Sequence, residues 1–166
     1  MVSFRNDILP LKDKLFRLAL RITLNPADAE DVVQETMIKV WNRRNNWDAI
    51  DNIETFCLTI CRNLAIDKTR YMGNQALSLE TEIEPSDDSH HANPEEQTVQ
   101  RDRIRLVRQL INQLPEKQRS CMQLRDIEGK SYKDIAAILD ITEEQVKVNI
   151  FRARQTIKEK FNKADK

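Results

Sequence analysis

A chain of 166 residues, 40% hydrophobic and 33% charged, has material for one domain or two small ones, each with a thin core. Only two glycines, Gly73 and Gly129, and no run of alternating β-branched residues argue against a strand-rich fold. Apolar runs as short as 135–139 fall far below the roughly 20 residues that cross a bilayer. The formal net charge is zero but sorted: residues 1–71 carry 11 basic against 10 acidic side chains, 72–100 none against 7, and 101–166 16 against 10. Charge arranged in this way suggests two folded pieces joined by an acidic connector. The start "MVSFRNDILP" lacks the apolar stretch of a signal peptide, and three cysteines are too few for a disulfide scaffold, so a cytoplasmic protein is expected.

In chain order, a first helix is expected over 7–23, with Leu11, Leu15, Leu18 and Ile22 at helical spacing. "NPADAED" opens a second: Asn25 suits the N-cap, Pro26 the first helical position, and Asp28, Glu30 and Asp31 the positive end of the dipole. In "DAEDVVQETMIKVW" Val33, Met37, Val40 and Trp41 form an inward stripe, while Asp28, Asp31, Gln34, Glu35 and Ile38 line another. After the polar break "NRRNNWDAIDN", a third helix over 52–71 places Ile53, Phe56, Cys57, Ile60, Cys61 and Leu64 on one face, completing an N-terminal bundle.

Residues 73–93 are acidic and polar without sustained apolar period, and read as a flexible linker. Its 21 residues reach about 70 Å when extended. Asn93 and Pro94 repeat the cap signature and start a helix through Leu106, Leu110 and Leu114. Pro115 starts another through Cys121, Leu124 and Ile127, closed by Gly129. Ser131 caps a short helix with Ile135, Ala136 and Leu139; "DIT" turns the chain; Thr142 caps a longer helix with Val146, Ile150, Ala153 and Ile157 inward. Two helices joined by a tight turn make a helix-turn-helix pattern.

The second of those helices carries Lys147, Arg152, Arg154 and Lys158, long donors suited to phosphates and base edges, with Asn149 and Phe151 as further base partners. A basic helix often does no more than complement its own dipole and keep the surface soluble, but here cap, turn, apolar register and charge coincide. The acidic face of the second helix has an equally plain explanation for Asp28, Glu30 and Asp31, as dipole partners in water. That explanation serves Gln34, Glu35 and Ile38 less well; a stripe of acids, amide and aliphatic repels phosphate and suits a protein surface. No P-loop, dinucleotide fingerprint, nucleophile elbow or HExxH pattern points to catalysis. Cys57 and Cys61 with His90 and His91 match no standard zinc spacing, and the cysteines read as small buried hydrophobes.

Three segments, "DAEDVVQETMIKVW", "TFCLTICRNLAIDKTR" and "LPEKQRSCMQLRDIEGKSYKDIAAILDITEEQVKVNIFRARQTIK", together resemble the extracytoplasmic-function group of bacterial RNA polymerase sigma factors, in the right order and over nearly the whole chain. The resemblance implies an all-α protein of two small helical domains: region 2 over 1–72, the linker over 73–93, and region 4 over 94–166. It implies a transcription initiation factor without catalytic residues, metal, cofactor or small-molecule substrate. Asp31, Gln34, Glu35 and Ile38 would then bind the clamp helices of the polymerase's largest subunit. The loop 45–52, with Trp47 in it, would receive a flipped base of the minus-ten element, and Arg62, Asn63, Lys68 and Arg70 would face that DNA. Extruding a base costs a few kcal/mol, which the pocket and the basic helix must offset.

By the same resemblance Lys147, Val148, Phe151 and Arg152 would read the minus-thirty-five element in the major groove, with Arg154 nearby for phosphates. The chain departs from the family at Asp140, where glycine is common, and at Val148, where a small polar residue is usual. The linker's five acids, Glu80, Glu82, Glu84, Asp87 and Asp88, suit a basic polymerase channel. Proteins of this kind are commonly held inactive by an anti-sigma partner, often membrane-bound. Two other readings stand beside this one: a stand-alone helix-turn-helix regulator that dimerises on a palindrome, and a helical adaptor that binds only proteins.

Overall fold

The computed structural model describes residues 1–73 and 94–164, and all regular structure among them is helical. The expected linker over 73–93 lies, beyond Gly73, outside the described residues. The N-terminal domain begins later as α-helix than its periodicity suggests. Ser3 caps a wide turn over Phe4–Ile8, a 3₁₀ turn follows over Leu9–Leu11, and only then does helix α1 run over Lys12–Thr23. Pro10 has no N–H to give to a regular α-turn, so the chain winds differently until it has passed. α1 stops at Leu24, which is left-handed at φ 57° and donates to the Leu20 carbonyl.

Asn25 then caps helix α2 (Pro26–Asn42) by accepting from the Asp28 amide at 3.1 Å, as its sequence predicts. A 3₁₀ turn over Arg44–Ala49 leads to helix α3 (Ile53–Gly73), with Asn52 accepting from the Thr55 amide at 3.1 Å. These three helices pack on one another around Leu15, Leu18, Ile22, Val32, Val40 and Leu58, all but closed to water. Trp41 departs from the expected inward stripe: it is 46% exposed at the rim, although its ring meets Phe4 and Trp47 edge-on at 5.6 and 6.1 Å.

The C-terminal domain consists of α4 (Pro94–Asn112), α5 (Glu116–Met122), α6 (Tyr132–Leu139) and α7 (Glu143–Ala164). After α5 the chain widens over Gln123–Ile127, which turns Ile127 out to 58% exposure rather than inward. The extra width shifts the register by which Ile127 would have followed Leu124. Gly129 takes φ +71° and lets the Lys130 amide reach back to the Leu124 carbonyl at 2.9 Å. Ser131 caps α6 by accepting from the Asp134 amide at 3.1 Å. Asp140 occupies the left-handed position of the turn at φ 55°, performing without a glycine what glycine performs more easily. Thr142 and Gln145 close a reciprocal capping box, each side chain taking the other's amide at 3.1 and 2.9 Å.

The two domains are packed together. α1 lies against α5, and α6 against α3. Ionic and hydrogen bonds line the seam: Arg17 with Glu128, Arg21 with Gln123 and Asn112 at 3.0 Å each, and Glu54 between Lys14 at 2.7 Å and Lys130 at 2.5 Å. Arg119 of α5 donates across it to the Arg21 and Ile22 carbonyls at the end of α1, at 3.0 and 3.4 Å. The same guanidinium also reaches the Asn112 and Leu114 carbonyls, so one side chain closes the C-terminal ends of two helices.

Candidate polymerase and promoter interfaces

Helix α2 buries Ala29, Val32, Val33, Thr36 and Val40, with the Thr36 hydroxyl satisfied by the Val32 carbonyl at 2.6 Å. The opposite face, bearing Asp31, Gln34, Glu35 and Ile38, is in water, and Ile38 is 60% exposed. An aliphatic side chain is thus held out in water among two acids and an amide, the composition expected of this face. Asp31 is engaged by Lys68 of α3 at 3.0 Å, so a residue expected to meet polymerase is tied to one expected to meet DNA.

The residues expected at the minus-ten element are dispersed. Trp47 is 6% exposed, its Nε1 donates to the Val40 carbonyl at 3.0 Å, and its ring stacks with Phe4 at 6.4 Å. It supports the turn from within, and its indole is not on the surface. Asn63 and Arg70 are exposed. Arg62 is half-buried on the helix that α6 packs against, and its Nε is enclosed with no hydrogen-bond partner among the described residues.

On α7 the inward residues are Val146, Ile150 and Ala153, and Lys147, Val148, Phe151 and Arg152 stand outward. Val148 is 45% and Phe151 67% exposed. Arg154 makes a two-point pair with Asp126, its Nε 3.2 Å from Oδ2; hydrogen bonding to Asp126, against slight burial, raises the guanidinium pKa above its ordinary value. Asn149 donates to the Gln145 carbonyl at 2.8 Å, along its own helix. Sequence reasoning did not single out Arg125 or Tyr132, whose guanidinium and ring lie 4.3 Å apart beside Lys147. Nothing local marks them, because the two come from different elements.

Cys57, Cys61 and Cys121 are buried, and burial pushes each thiol up to about 12. Cys61 donates to the Leu15 carbonyl at 3.3 Å. No group of three or more His, Cys, Asp or Glu side chains among the described residues is placed to hold a metal, and His90 and His91 lie outside those residues. No helix among the described residues is long and apolar enough to cross a membrane.

Comparison with known proteins agrees with this geometry. Residues 8–74 match sigma-70 region 2 and residues 104–157 match sigma-70 region 4. The chain is 32% identical over 160 residues to the RNA polymerase sigma-H factor of Pseudomonas aeruginosa, covering 91% of this chain and 83% of that protein. It is 28% identical over 167 residues to the ECF RNA polymerase sigma factor SigW of Bacillus subtilis, covering 93% and 87%. Its fold is similar to the sigma factor RpoE of Bartonella quintana, crystallised with the anti-sigma factor NepR, at a TM-score of 0.79, 23% identity and 98% coverage of both chains. This chain belongs to the extracytoplasmic-function group of the sigma-70 family of RNA polymerase sigma factors, the proteins that direct core polymerase to promoters.

Proposed function

We propose that the two domains divide the work of initiation between them: 1–72 binds core polymerase and the minus-ten element, 73–93 connects, and 94–166 reads the minus-thirty-five element. Asp31, Gln34, Glu35 and Ile38 form the polymerase surface. Arg62, Asn63, Lys68 and Arg70 serve the minus-ten strand, with Trp47 shaping the adjoining turn from the core. Lys147, Val148, Phe151 and Arg152 enter the major groove, and Arg154 serves a phosphate. The observation that carries this reading is on α7: Val148 and Phe151 are held in water beside Arg152 on a helix whose other face is locked into the core. Apolar groups beside a bidentate donor fit thymine methyls and guanine edges.

The factor acts by binding, in the cytoplasm, and performs no chemistry of its own. In the compact form α6 lies against α3, the helix that carries these minus-ten residues, and we read that form as a resting form. An inhibitory protein partner, of the kind bound by the Bartonella relative, is suited to holding that form. Run-off transcription with purified sigma-free core polymerase and fragmented genomic DNA tests the reading. Discrete transcripts that depend on the added protein support it; no transcripts, with tight binding of the free protein to a palindromic fragment, would replace it with a stand-alone regulator.

A further inference from the structure

We propose that Tyr132 is a positioning residue for promoter reading: its ring holds Lys147 and Arg125 together at one point of the helix-turn-helix, so that Lys147 meets DNA already ordered. The proposal rests on the assignment of Lys147 to DNA made above. Tyr132 is the first residue of α6, beside the Ser131 cap, and its half-buried ring packs on the core. The Arg125 guanidinium lies over that ring at 4.3 Å from its centre, and the Lys147 ammonium at 5.5 Å, both within the range in which a cation is drawn to an aromatic face. Arg125 is further fixed by donating to the Lys130 carbonyl at 2.9 Å.

The neighbouring cations are treated differently. Arg154 is matched by the carboxylate of Asp126. Lys147 and Arg125 have no carboxylate partner among the described residues; both meet the ring, and Arg125 meets the Lys130 carbonyl besides. A ring orders a cation without cancelling its charge, and two like charges brought to one ring remain mutually repelled until an anion arrives. A DNA phosphate supplies that neutralisation, at less entropic loss than a freely rotating lysine would require. Tyr132 itself need touch no base.

The test uses the full chain, reconstituted with core polymerase, and a fluorescent duplex of a promoter recovered by run-off transcription, titrated at several salt concentrations. Tyr132→Phe keeps the ring and is expected to bind within about twofold of the parent. Tyr132→Leu is expected to bind about three- to tenfold more weakly, and 3,4,5-trifluorophenylalanine at position 132, which drains the ring face while barely changing its shape, about threefold more weakly. In a Lys147→Ala background the Tyr132→Leu change is expected to add less than about twofold, since the ring then has less to position. Equal binding by the Phe, Leu and fluorinated variants, or full additivity with Lys147→Ala, overturns the proposal. The fluorinated variant keeps the test decisive where leucine disturbs the fold. Lys147→Ala and Arg152→Ala separate the layers: if neither weakens binding, the DNA assignment of α7 fails and the proposal with it; if both weaken it and the ring series is flat, only the role of Tyr132 fails.

Discussion

Arg17 and Glu128, 111 residues apart in the chain, meet in a two-point ion pair with both nitrogen–oxygen distances at 2.8 Å. The pair joins α1 to the segment following α5 and so clasps one domain to the other. The Glu128 side chain is 2% exposed and Arg17 45%, so water screens the pair from one side and its coupling is about 1 kcal/mol. Arg17→Glu is expected to loosen the compact form, and Arg17→Glu with Glu128→Arg to recover part of it. Energy transfer between fluorophores placed on the two domains reads this directly; no recovery in the double variant would remove the clasp from the account of closure.

Acid should open the same seam. Burial pushes the Glu54 carboxyl up, but hydrogen bonds and charge from Lys130 and Lys14 outweigh it and leave the pKa below the ordinary glutamate value. Glu128 is likewise raised by burial and drawn further down by Arg17 and Gln123. A carboxyl with a lowered pKa in the closed form stabilises that form above the ordinary glutamate range, and the contribution is lost as pH falls through the lowered value. Interdomain energy transfer is therefore expected to hold steady from neutral pH down to the ordinary glutamate range and to fall below it. Glu54→Gln with Glu128→Gln should lower the neutral plateau and flatten the acid limb.

The two binding surfaces should separate by mutation. Arg152→Ala is expected to impair promoter selection by about 1–3 kcal/mol while leaving affinity for core polymerase intact. Gln34→Ala with Glu35→Ala should weaken core binding and leave intact the promoter preference of the holoenzyme that still forms. Loss of both properties in either variant would undo the division of roles.

Trp47 should behave as a core residue. Tryptophan at 6% exposure, hydrogen-bonded to the Val40 carbonyl and in ring contact with Phe4 and Trp41, makes Trp47→Ala a loss of about 3–5 kcal/mol in urea unfolding. Trp47→Phe keeps most of the packing and loses only the indole's bond to the Val40 carbonyl, which still accepts from the Arg43 amide at 3.1 Å, for about 0.5–1.5 kcal/mol. A change in promoter melting at unchanged stability would instead give Trp47 a direct role at the DNA.

The cysteines should be silent in the folded chain. With thiols near 12, thiolate is scarce at pH 8, and burial blocks access besides. A disulfide-exchange reagent is expected to titrate none of Cys57, Cys61 and Cys121 before unfolding and all three after it.

Apart from the start of α1 and the outward Trp41 and Ile127, the sequence by itself determined the helices, their caps and the faces they show to water. Asn25 with Pro26, Ser131, the Thr142–Gln145 box and the Gly129 stop are local: each joins residues a few positions apart, and the backbone obeys them whatever surrounds it. The exposed Ile38, Val148 and Phe151 follow from helical periodicity in the same way. Tertiary structure alone decided the rest. Trp47 moved from an expected DNA loop into the core because Val40 and Phe4 stand where its ring can reach them. Lys68 turned to Asp31, and the Nε of Arg62 was enclosed without a partner among the described residues. Tyr132 gathered two cations, and Arg17 found Glu128, through elements whose separation along the chain carries no period. Such contacts depend on where whole helices come to rest, and that is settled by packing summed over the molecule rather than by any short run of residues.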